Sequence, residues 1–63
     1  MKTIEEIIAG LKILNNYDAF VSLEPGIIFV SLNIIPSEEE VRMLLRIHWK
    51  YEDKFYTEWF KYV

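Results

Sequence analysis

The feature that most constrains this chain is a Pro25-Gly26 pair between two runs rich in Val, Ile and Phe, residues 17–23 and 27–34. These residue types favour the pleated, half-buried surface of a β-strand. Proline presets φ at the second position of a turn, and glycine accepts the positive φ that a type II turn requires next. The stretch therefore predicts an antiparallel β-hairpin that turns at Pro25-Gly26.

A two-residue loop at this turn also sets which residues lie opposite each other. One face of the hairpin is then apolar throughout, and the other is mixed, with Phe20 and Phe29 lying diagonally across the strands. Either a helix or loop of the same chain covers these two rings, or they contact a second copy or another protein. A slip of one residue would exchange the faces, so the register is a specific prediction. The expected apolar pairs are Leu23–Ile28, Val21–Val30, Ala19–Leu32 and Tyr17–Ile34.

Amphipathic helices are predicted on both sides of the hairpin. Before it, isoleucine and leucine recur at helical spacing over residues 4–14, with Gly10 inside the pattern. This glycine is either a tolerated surface residue or a point of close approach to a strand or to another helix. After the hairpin, Ser37 has the type and position of an N-cap, with Glu40 three residues later. The glutamates at 38–40 also suit the positive end of a helix dipole.

From Val41 onward the chain contains no glycine or proline, so the second helix is expected to continue to about Tyr62. Such a helix of roughly 25 residues would be about 38 Å long. It would therefore project, pack on another chain, or break at Glu52-Asp53-Lys54. The sequence predicts a single α+β domain, residues 1–63, in the order α-β-β-α. We expect an N-terminal helix, an antiparallel β-hairpin and a long C-terminal helix, either unbroken or broken, with both helices packed on one face of the sheet.

The C-terminal part of this expected helix is aromatic on almost every side. A helix that is apolar all round is buried all round, and 52% hydrophobic residues are more than a 63-residue chain buries easily. We therefore expect a homodimer or a protein partner, while the alternative is that the rings complete the core of one chain. Aromatic residues also dominate binding energies at protein interfaces. The residues predicted for this interface are Phe20, Phe29, Phe55, Tyr56, Trp59, Phe60 and Tyr62.

Four cations recur at every fourth position of the same expected helix and would form one basic stripe along it. Such a stripe, with Trp49 beside it as a stacking ring, suits the phosphates of a nucleic acid or an acidic partner. A solvated face balanced by nearby acids is the simpler interpretation, and the net charge of −3 disfavours broad binding to nucleic acid. A nucleic-acid-binding regulator is therefore the alternative function. The cations are Arg42, Arg46, Lys50 and Lys54.

No residue pattern for catalysis, a cofactor or a metal is recognisable in the sequence. The chain has no cysteine and one histidine, His48, which we expect to be a partly buried structural residue. A Gly-rich phosphate loop is also missing. No apolar run approaches the roughly 20 residues that span a bilayer, and residues 1–6 do not resemble a signal peptide. We therefore expect a non-enzymatic, soluble, cytoplasmic protein that binds no cofactor and no membrane.

These observations predict a small interaction or regulatory module, homodimeric or bound to a protein partner. The order helix, antiparallel strands, helix in a short acidic chain loosely resembles small inhibitors encoded by viruses or plasmids. This resemblance lies in element order and not in a motif. It implies that an inhibitor or regulator carried by a mobile element is one concrete form of the function.

Overall fold

A four-stranded antiparallel sheet and two α-helices make up the fold in the computed structural model, which describes residues 2–63. The strand order across the sheet is β1-β2-β4-β3. The α+β class is therefore confirmed, whereas the expected order α-β-β-α lacked the second hairpin. In chain order the elements are α1 (Lys2–Leu14), a short 3-10 helix (Asn15–Tyr17), β1 (Phe20–Glu24), β2 (Ile27–Ser31), α2 (Glu38–Arg46), β3 (Lys50–Tyr51) and β4 (Glu58–Tyr62).

The first hairpin has the predicted turn and register. Gly26 has a φ of 80°, a value that glycine adopts without steric cost. Val21 lies opposite Val30, and Leu23 lies opposite Ile28, as the two-residue loop requires. Both strands therefore present the predicted faces, but they are shorter than expected. The ladder ends at the Phe20–Ser31 pair and Tyr17 lies in the 3-10 helix, so the expected pairs Ala19–Leu32 and Tyr17–Ile34 are not part of it.

Helix α2 begins at the predicted cap. The backbone N–H of Glu40 donates to Ser37 Oγ at 3.2 Å, so Ser37 satisfies a donor that has no partner inside the helix. The Tyr17 hydroxyl accepts from the Ser37 N–H at 3.1 Å and also donates to the Glu40 carboxylate. Tyr17 thereby ties the segment between α1 and β1 to the start of α2.

The expected long C-terminal helix is wrong, because α2 ends at Arg46. The N–H of Trp49 donates to the carbonyl of Leu44 at 3.0 Å, and the N–H of His48 donates to that of Leu45 at 3.1 Å. Together with a left-handed φ of 68° at His48, these bonds form a Schellman motif. Glycine usually occupies the left-handed position of this motif. A histidine there gave the sequence no visible stop signal. The side chain of His48 is 75% exposed, so the expectation that it is partly buried is wrong.

Residues 58–62 form a strand in the middle of the sheet where a helix was expected. Strand β4 pairs with β2 on one side and with β3 on the other. Its side chains alternate, with Trp59 and Lys61 buried and Glu58 and Tyr62 exposed. Aromatic residues suit strands as well as helix faces, so the apolar density of this segment fits both structures.

The hydrophobic core is built from the helices, from inward residues of β2 and β4, from Leu32 just after β2, and from Trp49 between α2 and β3. Trp49 lies against Gly10, and its indole Nε1–H donates to the backbone carbonyl of Glu6 at 2.9 Å. Of the two interpretations of Gly10, close approach is therefore correct, although its neighbour lies in the segment between α2 and β3 and not in a strand or helix. The buried apolar residues are Leu14, Val30, Leu32, Val41, Leu44, Trp49 and Trp59.

Candidate protein-interaction surface

The strand residues that alternate with the inward ones form a second face of the sheet, which we call the open face. In residues 2–63, none of these side chains belongs to the core cluster or to the side chains packed against it. The open face consists of Phe20, Ser22, Glu24, Ile27, Phe29, Ser31, Lys50, Glu58, Phe60 and Tyr62.

Aromatic rings occupy the centre of the open face. Phe29 and Phe60 lie opposite each other on β2 and β4, with ring centroids 6.0 Å apart. The Tyr62 ring contacts Phe60 edge to face at a centroid distance of 5.7 Å, an arrangement that aromatic pairs favour. Tyr62 is 57% exposed, and Phe20, on the edge strand, is 68% exposed. This face of the sheet thus carries four large rings, of which Phe20 and Tyr62 are exposed and Phe29 and Phe60 are partly buried.

Polar side chains surround these rings. On one flank Ser31 Oγ donates to Glu58 Oε1 at 3.1 Å. On another, Lys50 Nζ lies 5.6 Å from the centroid of the Tyr62 ring, within the range of a cation–π contact. With Glu24 at the end of β1, the open face carries more acids than bases. An aromatic centre with a polar, slightly acidic rim has the anatomy of a protein interface.

Three residues predicted for the interface lie elsewhere. Trp59 is 1% exposed, and its Nε1–H donates to the carbonyl of Tyr56 at 2.6 Å. Tyr56 is half-buried, and its ring stacks with that of Trp59. Phe55 is exposed in the loop between β3 and β4, where Lys54 Nζ lies 5.4 Å from its ring centroid. Trp59 is therefore not accessible to a partner, because the alternation of side chains along β4 places it in the core of its own chain.

The basic stripe expected on the C-terminal helix does not form, because that helix ends at Arg46. Arg42 is on α2 and pairs with Glu38 at 3.2 Å, in an exposed ion pair of the kind that contributes little to stability. Lys50 is on β3, and Lys54 is in the loop that follows it. The four cations therefore do not share one helix face.

Glu6 lies at the centre of a polar cluster that sequence reasoning missed. Its Oε2 lies 2.8 Å from His48 Nδ1, and its Oε1 accepts from Lys61 Nζ at 3.1 Å. The hydrogen bond with His48, followed by that from Lys61, lowers the pKa of Glu6 below its ordinary value. The buried Lys61 ammonium also donates to the carbonyl of Ile47 at 3.4 Å, at the end of α2. The cluster joins α1, α2 and β4, and no spacing in the sequence indicates it.

A second polar arrangement orders the loop before β4. Asp53 Oδ1 accepts from the backbone N–H of Thr57 at 2.9 Å and from that of Glu58 at 3.1 Å. The Thr57 hydroxyl donates to Asp53 Oδ2 at 2.5 Å. This hydroxyl bond is the main cause that lowers the pKa of Asp53. The carboxylate therefore positions the first residues of β4.

An apolar groove runs between α1 and β1, on the core side of the sheet. It has a volume of about 380 Å³ and is open to solvent. Val21 contributes to its floor and is itself 54% exposed, since α1 does not cover the edge strand. The other lining residues are Ile8, Leu11, Lys12, Leu14, Asn15, Ala19 and Val30.

Comparisons with protein-family models, with curated proteins and with solved structures found no match for this chain. Among the described residues, no helix has the length and apolarity needed to cross a bilayer. Over the same residues, His, Asp and Glu side chains form no group of three or more that could hold a metal ion. The open face is therefore the feature from which a function is best argued.

Proposed function

We propose that this protein is a small, non-enzymatic interaction module that binds a protein partner through the open face of its sheet. The observation that carries this proposal is the contact of Phe29, Phe60 and Tyr62 on a sheet face whose residues take no part in the core. We infer that both helices pack on the opposite face, since the core cluster combines their residues with the inward strand residues.

Burial of the open face provides the driving force for binding. Moving one large apolar side chain from water to a packed interface contributes about 1.5–3 kcal/mol. Phe20 and Tyr62 are more than half exposed and therefore retain most of this energy for a partner. Contiguous apolar patches on soluble proteins commonly mark interaction sites.

The rim of the open face indicates the chemistry of the partner. Glu24 and Glu58 outnumber Lys50 there, and the whole chain carries a net charge of −3. A partner surface with an apolar centre and basic residues around it would complement this face in both shape and charge. An inhibitor or regulator that a virus or plasmid encodes, acting in the cytoplasm, is one concrete form of such a module.

The side chains with catalytic potential serve structural contacts, which supports a non-enzymatic role. The His48 ring and the Lys61 ammonium both bind Glu6, and Lys61 also contacts a backbone carbonyl at the end of α2. A general base acts on a nucleophile within hydrogen-bond reach. Within residues 2–63, the side-chain hydrogen bond of the His48 ring is with the Glu6 carboxylate and not with a hydroxyl group.

Selection from a library of short random peptides on the immobilised protein tests this proposal. Selected peptides should contain aromatic or aliphatic residues together with Lys or Arg. Their affinity for a Phe20→Ser/Tyr62→Ser variant should fall roughly tenfold or more, because loss of an aromatic anchor costs about 2 kcal/mol. Both positions are exposed, so the variant should fold.

Phe55→Ser is the matched control, because Phe55 is a similarly exposed ring outside the open face. It should leave peptide affinity unchanged. Peptides that bind the Phe20/Tyr62 variant as well as the wild type, or that lose affinity with Phe55→Ser, would contradict the proposal. A single-stranded DNA oligomer serves as the probe for the alternative function. Tight, salt-sensitive binding that Arg46→Glu and Lys50→Glu abolish would favour nucleic acid instead.

A further inference from the structure

The two edges of the sheet differ in how they are protected from pairing with another chain. Edge strand β3 is two residues long and includes Lys50. A short edge strand and an edge lysine both hinder edge-to-edge association. Edge strand β1 has five residues, all exposed, in an uninterrupted register with β2. It contains no lysine, no proline and no bulge. The β1 edge is therefore open to a further strand.

The backbone groups of β1 that point outward follow from the hairpin geometry. Glu24 and Ile27 flank a two-residue loop and form the first pair of the ladder, which is hydrogen-bonded in hairpins of this kind. Because such pairs alternate, the N–H and C=O groups of Val21 and Leu23 face away from β2. Within residues 2–63, no backbone hydrogen bond outside the helices and strands involves Val21 or Leu23.

Side chains on this edge are apolar on the core side of the sheet. Val21 is 54% exposed and Leu23 is 74% exposed, although both lie on the same face as the buried Val30. The groove between α1 and β1 lies beside Val21 and is open. A strand added to the β1 edge would therefore satisfy backbone groups and cover apolar side chains in one step.

We propose that β1 pairs with β1 of a second copy of the chain, antiparallel about a two-fold axis through Ser22, so that the two sheets become one. A two-fold axis perpendicular to a sheet places residues of the same face opposite each other. Centring the axis at Ser22 uses the whole strand and places Val21 opposite Leu23 of the second copy. Their outward N–H and C=O groups then exchange hydrogen bonds at two symmetric places.

The strand is self-complementary in this register, which is why the occupant is a second copy. On the core side, Val21 of each copy lies opposite Leu23 of the other. Leu23 of the second copy then enters the groove beside Ile8. Small Ser22 side chains meet at the axis, and Glu24 lies opposite Phe20, so no like charges face each other. A standard interface covers about 800 Å² per partner. That is roughly a sixth of the 4518 Å² surface of this chain.

This inference goes beyond the proposed function, takes up the homodimer that the sequence predicts, and leaves most of the open face accessible. The two proposals fail separately, because the peptide-binding test includes Tyr62, which lies outside the β1 edge, whereas dimer formation is tested at Val21, Ser22 and Leu23. Loss of dimerisation without loss of peptide binding would remove this inference alone.

Sedimentation equilibrium on the full chain at micromolar concentration measures the dimer. The wild type should be dimeric, and Val21→Pro should raise the dissociation constant at least about tenfold, because proline removes an outward donor. Val21→Thr keeps the N–H and the branched shape, and it should remain dimeric. Leu23→Lys should also be monomeric, and its exposed position keeps the fold intact if proline does not. A monomeric wild type, or a folded Leu23→Lys variant that stays dimeric, would overturn the inference.

Cysteine cross-linking tests the register, since the chain has no cysteine of its own. Ser22→Cys should form a disulfide-linked dimer under mild oxidation, because the two residues at the axis form a close, non-hydrogen-bonded pair. Glu24→Cys is the control on the same strand and face. It should stay unlinked, since its counterpart lies about 13 Å along the strand. Cross-linking of Glu24→Cys but not Ser22→Cys would contradict the proposed register.

Discussion

The indole of Trp49 occupies the space that a side chain on Gly10 would need. A Cβ atom at Gly10 would lie 2.0 Å from Trp49 Nε1, far inside contact distance. The same indole donates to the carbonyl of Glu6, so it is held by a hydrogen bond as well as by packing. Helix α1 can approach the segment after α2 only because position 10 has no side chain.

Gly10→Ala should therefore destabilise the protein, although alanine is the better helix former by about 1 kcal/mol. Overpacking a well-packed site costs about 1–3 kcal/mol, so we expect a net loss of up to about 2 kcal/mol. Urea unfolding followed by circular dichroism measures it. In a Trp49→Leu background the same substitution should cost much less. A stabilising Gly10→Ala would show that the close contact is not real.

His48→Gly should be more stable than His48→Ala by about 1 kcal/mol, because φ at this position is left-handed and glycine has no Cβ to strain. Both substitutions remove the contact with Glu6 equally, so their difference isolates the backbone. Arg46, the last residue of α2, is the control. There the order should reverse, with alanine more stable than glycine. Equal stabilities of the two His48 variants would contradict the Schellman motif.

Stability should fall as the pH drops through the lowered pKa of Glu6. The folded state binds this proton more weakly than the unfolded state, whose Glu has an ordinary pKa of about 4.3. The contribution of Glu6 is therefore present above that value and is lost below it. Urea unfolding at a series of pH values measures this effect. As the pH decreases, the free energy of unfolding should fall less for Glu6→Gln than for the wild type. Glu5→Gln, on the exposed side of the same helix, should follow the wild-type curve.

Thr57→Val should raise the pKa of Asp53 toward its ordinary value, because the Thr57 hydroxyl is the main group that lowers it. Valine has a similar shape but no donor, so the backbone bonds from residues 57 and 58 to the carboxylate can remain. Carbon-13 NMR titration of the Asp53 carboxyl measures the change. An unchanged midpoint would mean that the hydroxyl bond is not formed in solution.

The first half of the fold was predictable because its signals are local. Pro25-Gly26 sets the turn and, with the alternation of apolar residues, the register of β1 and β2. Ser37 was recognisable as a cap because its side chain acts on a residue three positions away. Phe20 and Phe29 were placed on the second face by the same alternation.

The second half was not predictable from local signals. A histidine holds the left-handed position that ends α2, so the usual glycine was missing. The run from Thr57 to Val63 is rich in aromatic residues and fits a strand or a helix face equally well. Its partner in the sheet, β2, lies about 30 residues earlier in the chain. The spacing of residues in the sequence does not indicate a pairing between segments so far apart. Phe60 and Tyr62 therefore lie on the open face as residues of a strand, whereas the sequence predicted them on a helix.

The most direct test of the account is an NMR titration of the labelled protein with a library-selected peptide. Amide shifts should concentrate on residues of the open face, above all Phe29, Phe60 and Tyr62, with little change at Phe55 or along α2. The Phe20→Ser/Tyr62→Ser variant should show the same fold and much smaller shifts. Shifts that concentrate on α2 or on the loop at Phe55, with β2 and β4 unaffected, would contradict the claim that the open face binds a protein partner.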